Sequence, residues 1–94
     1  MYNIPENKIT SYVPQMMVDY GLSKDMYDKI VEYMAAHVRE FVDGCGEVSA
    51  TVLAEWCADE LGHDEWLDEE THPVWDLACD FATCLEDDIK NGEA

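Results

Sequence analysis

The sequence predicts an all-α protein, a compact bundle of four to five short helices. Apolar residues recur at spacings of three and four along four separate segments, which is the period of an α-helix. Ser, Pro and Gly residues stand where those segments begin and end. No segment requires a strand, since the one short candidate, EVSATV, is better explained by Ser49 as a helix cap. The 94 residues match one domain, residues 1–94.

The first two predicted helices lie in the N-terminal half. The first begins after Ser11, tolerates Pro14 in its first turn and ends at Gly21. The second begins after the N-cap Ser23 and continues to Gly44, and it pairs Asp25 with Lys29 and Arg39 with Asp43 at i,i+4 spacing, as on an ordinary surface helix. The residues before the first helix form either a short helical turn or a loose arm.

The third and fourth predicted helices lie in the C-terminal half. The third begins after Ser49 and ends at Gly62. The fourth begins with Thr71 as its cap and Pro73 in its first turn, and it continues to about Lys90. The row of the fourth helix that we expect to be buried contains Val74, Ala78, Phe81, Leu85 and Ile89.

Charge is the dominant feature of the composition. The chain has 22 acidic and five basic residues, giving a formal net charge of −17. Residues 1–43 hold seven acids and four bases, whereas residues 44–94 hold fifteen acids and one base, Lys90. Nucleic acids and anionic membranes are bound through Lys and Arg, so this composition argues against both as direct partners.

The N-terminal sequence also bounds the location of the protein. MYNIPENKIT lacks the basic segment and apolar run of a signal peptide, and no apolar stretch approaches the ~18–20 residues that span a bilayer. We therefore expect a cytoplasmic protein whose four cysteines are reduced thiols. In an oxidising compartment the same cysteines could form two disulfides, with three possible pairings.

Acidic residues concentrate in the run EWCADELGHDEWLDEETHPVW, residues 55–75, which contains eight carboxylates and no Lys or Arg. The fourth helix continues the pattern, because Asp76, Asp80 and Asp87 fall within about 40° of one another on a helical projection. Their carboxylates are expected to form a stripe that points to water, opposite the buried row. Asp76 and Asp80 are about 6 Å apart along the helix axis, and Thr83 fills the gap before Asp87 in the same row.

Trp66 lies inside the acidic run, beside Leu67 and between charged neighbours. Two interpretations remain open for it. The side chain either packs onto the bundle as the anchor of a loop, or it is exposed as an aromatic contact for a partner, a residue type that dominates interface energies. Trp56 and Trp75 are expected to pack in the core.

An array of carboxylates on a rigid scaffold is electrostatically similar to a row of phosphates. In charge, size and helical character the chain resembles the small acidic proteins of phages and mobile elements that imitate DNA or block host defence, anti-CRISPR proteins among them. The resemblance implies a stoichiometric inhibitor that occupies a nucleic-acid-binding or nuclease subunit. It depends on Asp59, Glu60, Asp64, Glu65, Asp68, Glu69, Glu70, Asp76, Asp80 and Asp87.

Metal and catalytic sites have weaker support. Cys57, His63, His72 and Cys79 are zinc-type ligands, but their spacing matches no compact zinc pattern. DELGHDEWLDEE fails as an EF-hand loop, because Leu61 and His63 occupy its third and fifth positions. No nucleophile or carboxylate pair stands in a recognisable catalytic setting. We therefore expect neither an enzyme nor a cofactor.

The leading hypothesis is a non-enzymatic inhibitor, active in the cytoplasm of a host bacterial cell, that binds a basic nucleic-acid-binding surface of another protein. Its contact residues are the ten acids above, with Trp66 as the candidate aromatic anchor. The alternative is a small helical regulator or assembly adaptor that binds a protein partner through an apolar surface. A third possibility is an ordinary protein of a salt-loving cell, acidic for solubility.

Overall fold

The computed structural model describes residues 2–92, and within them it confirms the predicted all-α fold. The four α-helices are α1 (Val13–Asp19), α2 (Lys24–His37), α3 (Ala50–Leu61) and α4 (Pro73–Lys90). Short 3-10 helices occupy Glu6–Lys8, Val38–Phe41 and Asp64–Asp68.

The longest helix, α4, organises the bundle. It packs against α1, α2 and α3, and its contact with α3 is the most extensive. The predicted apolar row of α4 lies in this core, with Val74, Ala78, Phe81 and Leu85 fully buried and Ile89 packed at its edge. Burial of each Val, Leu or Phe side chain contributes about 1.5–3 kcal/mol to folding. This row is therefore a main source of stability.

Two of the predicted helix starts are confirmed, as are the predicted stops at Gly62 and at Gly21, which follows α1 with φ of 75°. The Ser23 hydroxyl accepts a hydrogen bond from the Met26 N–H at 3.1 Å, which caps α2. The Ser49 hydroxyl accepts one from the Val52 N–H at 3.3 Å, which caps α3. Gly62 ends α3 in the left-handed conformation, with φ of 74°, which a residue without Cβ adopts readily.

Two other caps differ from the prediction. α1 begins one residue later than Ser11 would give, with Tyr12 at the N-cap and no side chain accepting from the first turn. Thr71 does not cap α4, because its hydroxyl is hydrogen-bonded to the hydroxyl of Tyr20 at 2.6 Å. His72 takes that role, since its Nδ1 accepts a hydrogen bond from the Val74 N–H at 3.1 Å.

The second helix is shorter than predicted: α2 ends at His37 and does not continue to Gly44. A single 3-10 turn follows, and the chain then becomes extended. The carboxylate of Asp43 accepts hydrogen bonds from the backbone N–H groups of Cys45 and Glu47, at 2.7 and 3.0 Å. An Asp side chain that binds nearby backbone in this way favours a turn over a helix.

The residues before α1, here called the N-terminal arm (residues 2–12), are packed against the bundle and include a short 3-10 turn. Tyr2 is only 8 % exposed and belongs to the core cluster. Its backbone N–H donates to the carbonyl of Ala35 at 2.7 Å, which fixes the arm to α2. Of the two open alternatives, the structure therefore favours the helical turn over the loose arm.

Candidate acidic interface

Exposed carboxylates are concentrated where α3 ends and the following 3-10 turn begins. All of them are solvent-exposed, and no Lys or Arg lies between the first and the last. We call this set the acidic patch: Asp59, Glu60, Asp64, Glu65, Asp68, Glu69 and Glu70.

The backbone beneath the acidic patch is tightly held. At the end of α3 the Gly62 N–H donates to the Asp59 carbonyl at 3.1 Å, and the His63 N–H donates to the Ala58 carbonyl at 2.8 Å. This pair of bonds is a Schellman motif, which reverses the chain after a helix. The 3-10 turn Asp64–Asp68 follows at once, so the acids stand on an ordered chain reversal.

Two observations indicate that the acidic patch does not stabilise the fold. Asp59 and Glu60 lie in the last turn of α3, where the partial negative charge of the helix end disfavours carboxylates. Within residues 2–92, the one ion pair between a Lys or Arg and a carboxylate is Lys24–Asp28 on α2, at 3.2 Å. The charge of the patch is therefore largely uncompensated, and its members repel one another.

Trp66 is the anchor of this segment and is not an exposed contact. Its side chain is 6 % exposed and lies between the rings of His63 and His72, with centroid distances of 4.6 and 5.1 Å. The indole N–H of Trp75 donates to the Glu69 carbonyl at 3.0 Å and fixes the other side of the segment. Of the two interpretations of Trp66, the loop anchor is correct, and its ring is not available to a partner in this structure.

One member of the acidic patch has a local hydrogen-bond partner. Nδ1 of His63 lies 2.8 Å from Oε1 of Glu65, and this hydrogen bond lowers the pKa of the Glu65 carboxyl below its usual value. Glu65 therefore stays ionised at neutral pH, and the His63 contact fixes its side chain beside the end of α3.

The predicted stripe on α4 is only partly open to water. Asp80 accepts two hydrogen bonds from Thr10 of the N-terminal arm, one from its N–H and one from its hydroxyl, both at 2.7 Å. Asp76 is half-buried, and its charge raises the pKa of the nearby Tyr12 phenol. Only Asp87 is exposed as expected. The expectation of a clean, solvated stripe was wrong, because the arm covers this face of α4.

Other carboxylates of α4, which the sequence did not single out, also accept hydrogen bonds from distant segments. Glu86 accepts from the Val48 N–H at 3.0 Å, beside the antiparallel bridge that joins Val48 to Val42. Asp88 accepts from the hydroxyl of Tyr2. Nothing in the spacing of these acids marks their partners, which lie 38 and 86 positions away along the chain.

The residues considered for a metal site are not brought together as ligands. Residues 2–92 contain no group of three or more His, Cys, Asp or Glu placed to hold a metal ion. Cys57 is fully buried on α3, and burial raises the pKa of its thiol to about 12, which disfavours the thiolate that zinc requires. Cys79 is exposed on α4.

Four large apolar side chains are exposed among the described residues. They are Tyr12, Val18, Tyr33 and Val52. Val18, on α1, is 66 % exposed and lies beside a groove of about 300 Å³ that is lined by Pro14, Met17 and Leu22 among others. Trp56 packs edge-on against Tyr33, at 6.0 Å between centroids, and is half-buried at the edge of the core, not in its centre.

Comparison of the chain with protein-family models, with curated proteins and with solved structures gives no match. Among the helices of residues 2–92, none has both the length and the apolar character needed to cross a membrane.

Proposed function

We propose that the protein is a non-enzymatic inhibitor that binds a basic, nucleic-acid-binding surface of a host defence or nucleic-acid-handling protein. The observation that supports this function most directly is the acidic patch. Seven exposed carboxylates stand within twelve consecutive residues, on an ordered backbone and with no basic residue among them. The proposed setting is the cytoplasm of a bacterial host.

Electrostatics gives the patch its proposed function. A groove that binds a nucleic-acid backbone is lined with Lys and Arg, and its field attracts any dense array of negative charge. Carboxylates held by a fixed backbone approach such a groove without a large loss of chain entropy on binding. Charge pairing of this kind gives fast association that weakens as salt is added.

We propose a smaller contact surface than the ten acids that the sequence indicates. Asp59, Glu60 and the acids of residues 64–70 are exposed and available, and Asp87 offers one further charge on α4. Asp80 accepts two hydrogen bonds from Thr10, so its carboxylate holds the N-terminal arm and is not free to contact a partner. Trp66 holds the patch in place from beneath and supplies no contact area of its own.

Displacement from the immobilised protein tests the proposed function. A bacterial lysate treated with nuclease is passed over the protein at about 50 mM salt, and bound proteins are displaced in separate arms by duplex DNA, by structured RNA and by polyglutamate of equal charge. We expect DNA or RNA to displace the bound partner at lower concentration than polyglutamate. Binding should also fall steeply between about 50 and 200 mM salt. Equal displacement by polyglutamate, or binding that persists at high salt, contradicts the proposal.

A second candidate function, a regulator or adaptor that binds through an apolar surface, is favoured by the exposure of Val18 on α1 and of Tyr12 immediately before it. A partner held through this surface is insensitive to salt, since apolar burial does not depend on charge screening. Val18→Asp should abolish capture by this route and leave capture through the acidic patch unchanged. The same displacement experiment therefore separates the two functions.

A further inference from the structure

His72 is the one polar or charged residue that is buried among residues 2–92, with 2 % of its surface exposed. Its ring lies against Trp66 in a stack that continues to His63, and the ring of Tyr20, the residue after α1, packs against it in an edge arrangement with 5.0 Å between centroids. This cluster joins the segment bearing the acidic patch to the start of α4 and to α1. A titratable group thus lies at the junction of three elements.

His72 also acts as a hydrogen-bond acceptor. Its Nδ1 accepts the N–H of Val74 at 3.1 Å in the first turn of α4. Pro73 has no N–H to offer, so the Val74 N–H is the first backbone donor of the helix that needs a partner. The bond requires an unprotonated Nδ1, and the neutral ring therefore carries its proton on Nε2.

The groups that surround His72 have opposite effects on its protonation. Glu65 and Glu69, on the adjoining turn, favour its protonation. Tyr20 has its hydroxyl bonded to Thr71 and offers no negative charge, and the N-terminal end of α4 carries partial positive charge. Burial outweighs the two carboxylates, and the pKa of His72 is lowered from its ordinary value.

We infer that His72 is a proton-sensitive latch, whose protonation at Nδ1 releases the cap of α4 and loosens the segment that bears the acidic patch. In the protonated ring Nδ1 carries a hydrogen and can no longer accept the Val74 N–H, so this hydrogen bond is lost. The ring also becomes a cation at the positive end of a helix. The loss of the cap loosens the stack on Trp66. That this loosening weakens partner binding rests on the proposed function, but the loosening itself does not.

The direction of the pH effect follows from linkage. The folded state binds a proton at His72 less readily than the unfolded chain, whose histidine titrates near pH 6.5. The stabilising contribution of neutral His72 is therefore fully present above that pH and is lost as the pH falls toward the folded pKa. Protonation of the many carboxylates relieves repulsion over a lower, overlapping range and acts in the opposite direction.

A matched variant separates the two effects. In His72→Asn the amide oxygen can accept from the helix N-terminus, since Asn is a favoured N-cap residue, and the side chain does not titrate. Urea unfolding of both proteins is followed from pH 8 to pH 5.5. We expect the unfolding equilibrium constant of the wild type, relative to the variant, to rise as the pH falls, by up to about tenfold for each unit by which burial lowers the pKa. A ratio that stays constant overturns the inference.

NMR on the wild type supplies a second test, which holds even if the variant does not fold. Amide exchange at Val74, divided at each pH by the intrinsic exchange rate of an unprotected amide, should accelerate in step with the titration of the His72 ring, and the indole resonance of Trp66 should change over the same pH range. The same coupling should persist in His63→Asn, where the outer ring of the stack is replaced. Val74 exchange that does not follow His72 overturns the inference. None of these measurements involves a partner, so their failure is distinguishable from failure of the proposed function.

Discussion

The acids of α4 and those of the acidic patch occupy neighbouring parts of the chain but have different surroundings. On α4, Asp80, Glu86 and Asp88 accept hydrogen bonds from segments far away in sequence. In the acidic patch, among the described contacts, the one side-chain hydrogen bond to a carboxylate is the local pair of His63 with Glu65.

This difference separates two uses of negative charge. A carboxylate that accepts backbone or hydroxyl donors at a partly buried site stabilises the fold, because a charged acceptor forms stronger hydrogen bonds than a neutral one. A carboxylate at the C-terminal end of a helix, without a basic partner, destabilises the fold slightly. The charges of Asp80, Glu86 and Asp88 therefore have a structural explanation, whereas those of the patch call for a functional one.

The largest effect that we expect on stability concerns the residue beneath the patch. Trp66→Ala should destabilise the fold by about 3–5 kcal/mol, because it removes a buried aromatic side chain from between two histidine rings. Val52→Ala, at a position 46 % exposed, should change stability by less than about 1 kcal/mol. Urea unfolding followed by circular dichroism measures both. A loss below about 1 kcal/mol for Trp66→Ala contradicts its role as the anchor.

A smaller effect distinguishes two acids of the same helix. Asp80→Ala should cost about 2 kcal/mol, since it leaves the N–H and hydroxyl of Thr10 without their acceptor. Asp87→Ala is the matched control, an exposed Asp on α4 with the same change in helix propensity, and should cost less than about 0.5 kcal/mol. Chemical unfolding compares the two. Equal losses contradict the structural role of Asp80.

The smallest effect is expected at the acids that close α3. Replacing Asp59 by Asn and Glu60 by Gln should stabilise the protein by about 0.5 kcal/mol at low salt, because it removes charge that opposes the helix dipole and the neighbouring carboxylates. The gain should shrink as salt screens these interactions. Thermal unfolding at low and high salt measures it. A loss of stability at low salt would show that these acids help to hold the fold.

The helices were largely predictable from sequence, because their signals are local. Ser23, Ser49 and Gly62 cap or end helices through contacts with residues three or four positions away. The end of α2 was mispredicted, since a 3-10 turn over Val38–Phe41 and a turn at Asp43 replace its expected last turns. Local sequence patterns do not show whether the helix or the turn forms at such a position.

The candidate site was predictable in composition but less so in geometry. The density of acids in residues 59–70 is evident from sequence, and the structure leaves them exposed. The covering of Asp80 by Thr10 joins residues 70 positions apart, and spacing along the chain does not encode such a contact. The inward packing of Trp66 depends likewise on His72, whose burial no local pattern in the sequence indicates.

The central claim is that the position of the charge in the acidic patch, and not the net charge of the chain, determines binding. Two variants of equal charge test it. One replaces four acids of the patch by their amides, at Asp64, Asp68, Glu69 and Glu70. The control replaces four exposed acids elsewhere, at Asp19, Asp25, Glu32 and Glu47.

Both variants are compared with the wild type for the amount of nucleic-acid-displaceable protein that they retain from nuclease-treated bacterial lysate at about 50 mM salt. We predict that the patch variant loses most of the retained protein while the control variant retains it. Equal losses in the two variants, or full retention by the patch variant, would contradict the claim.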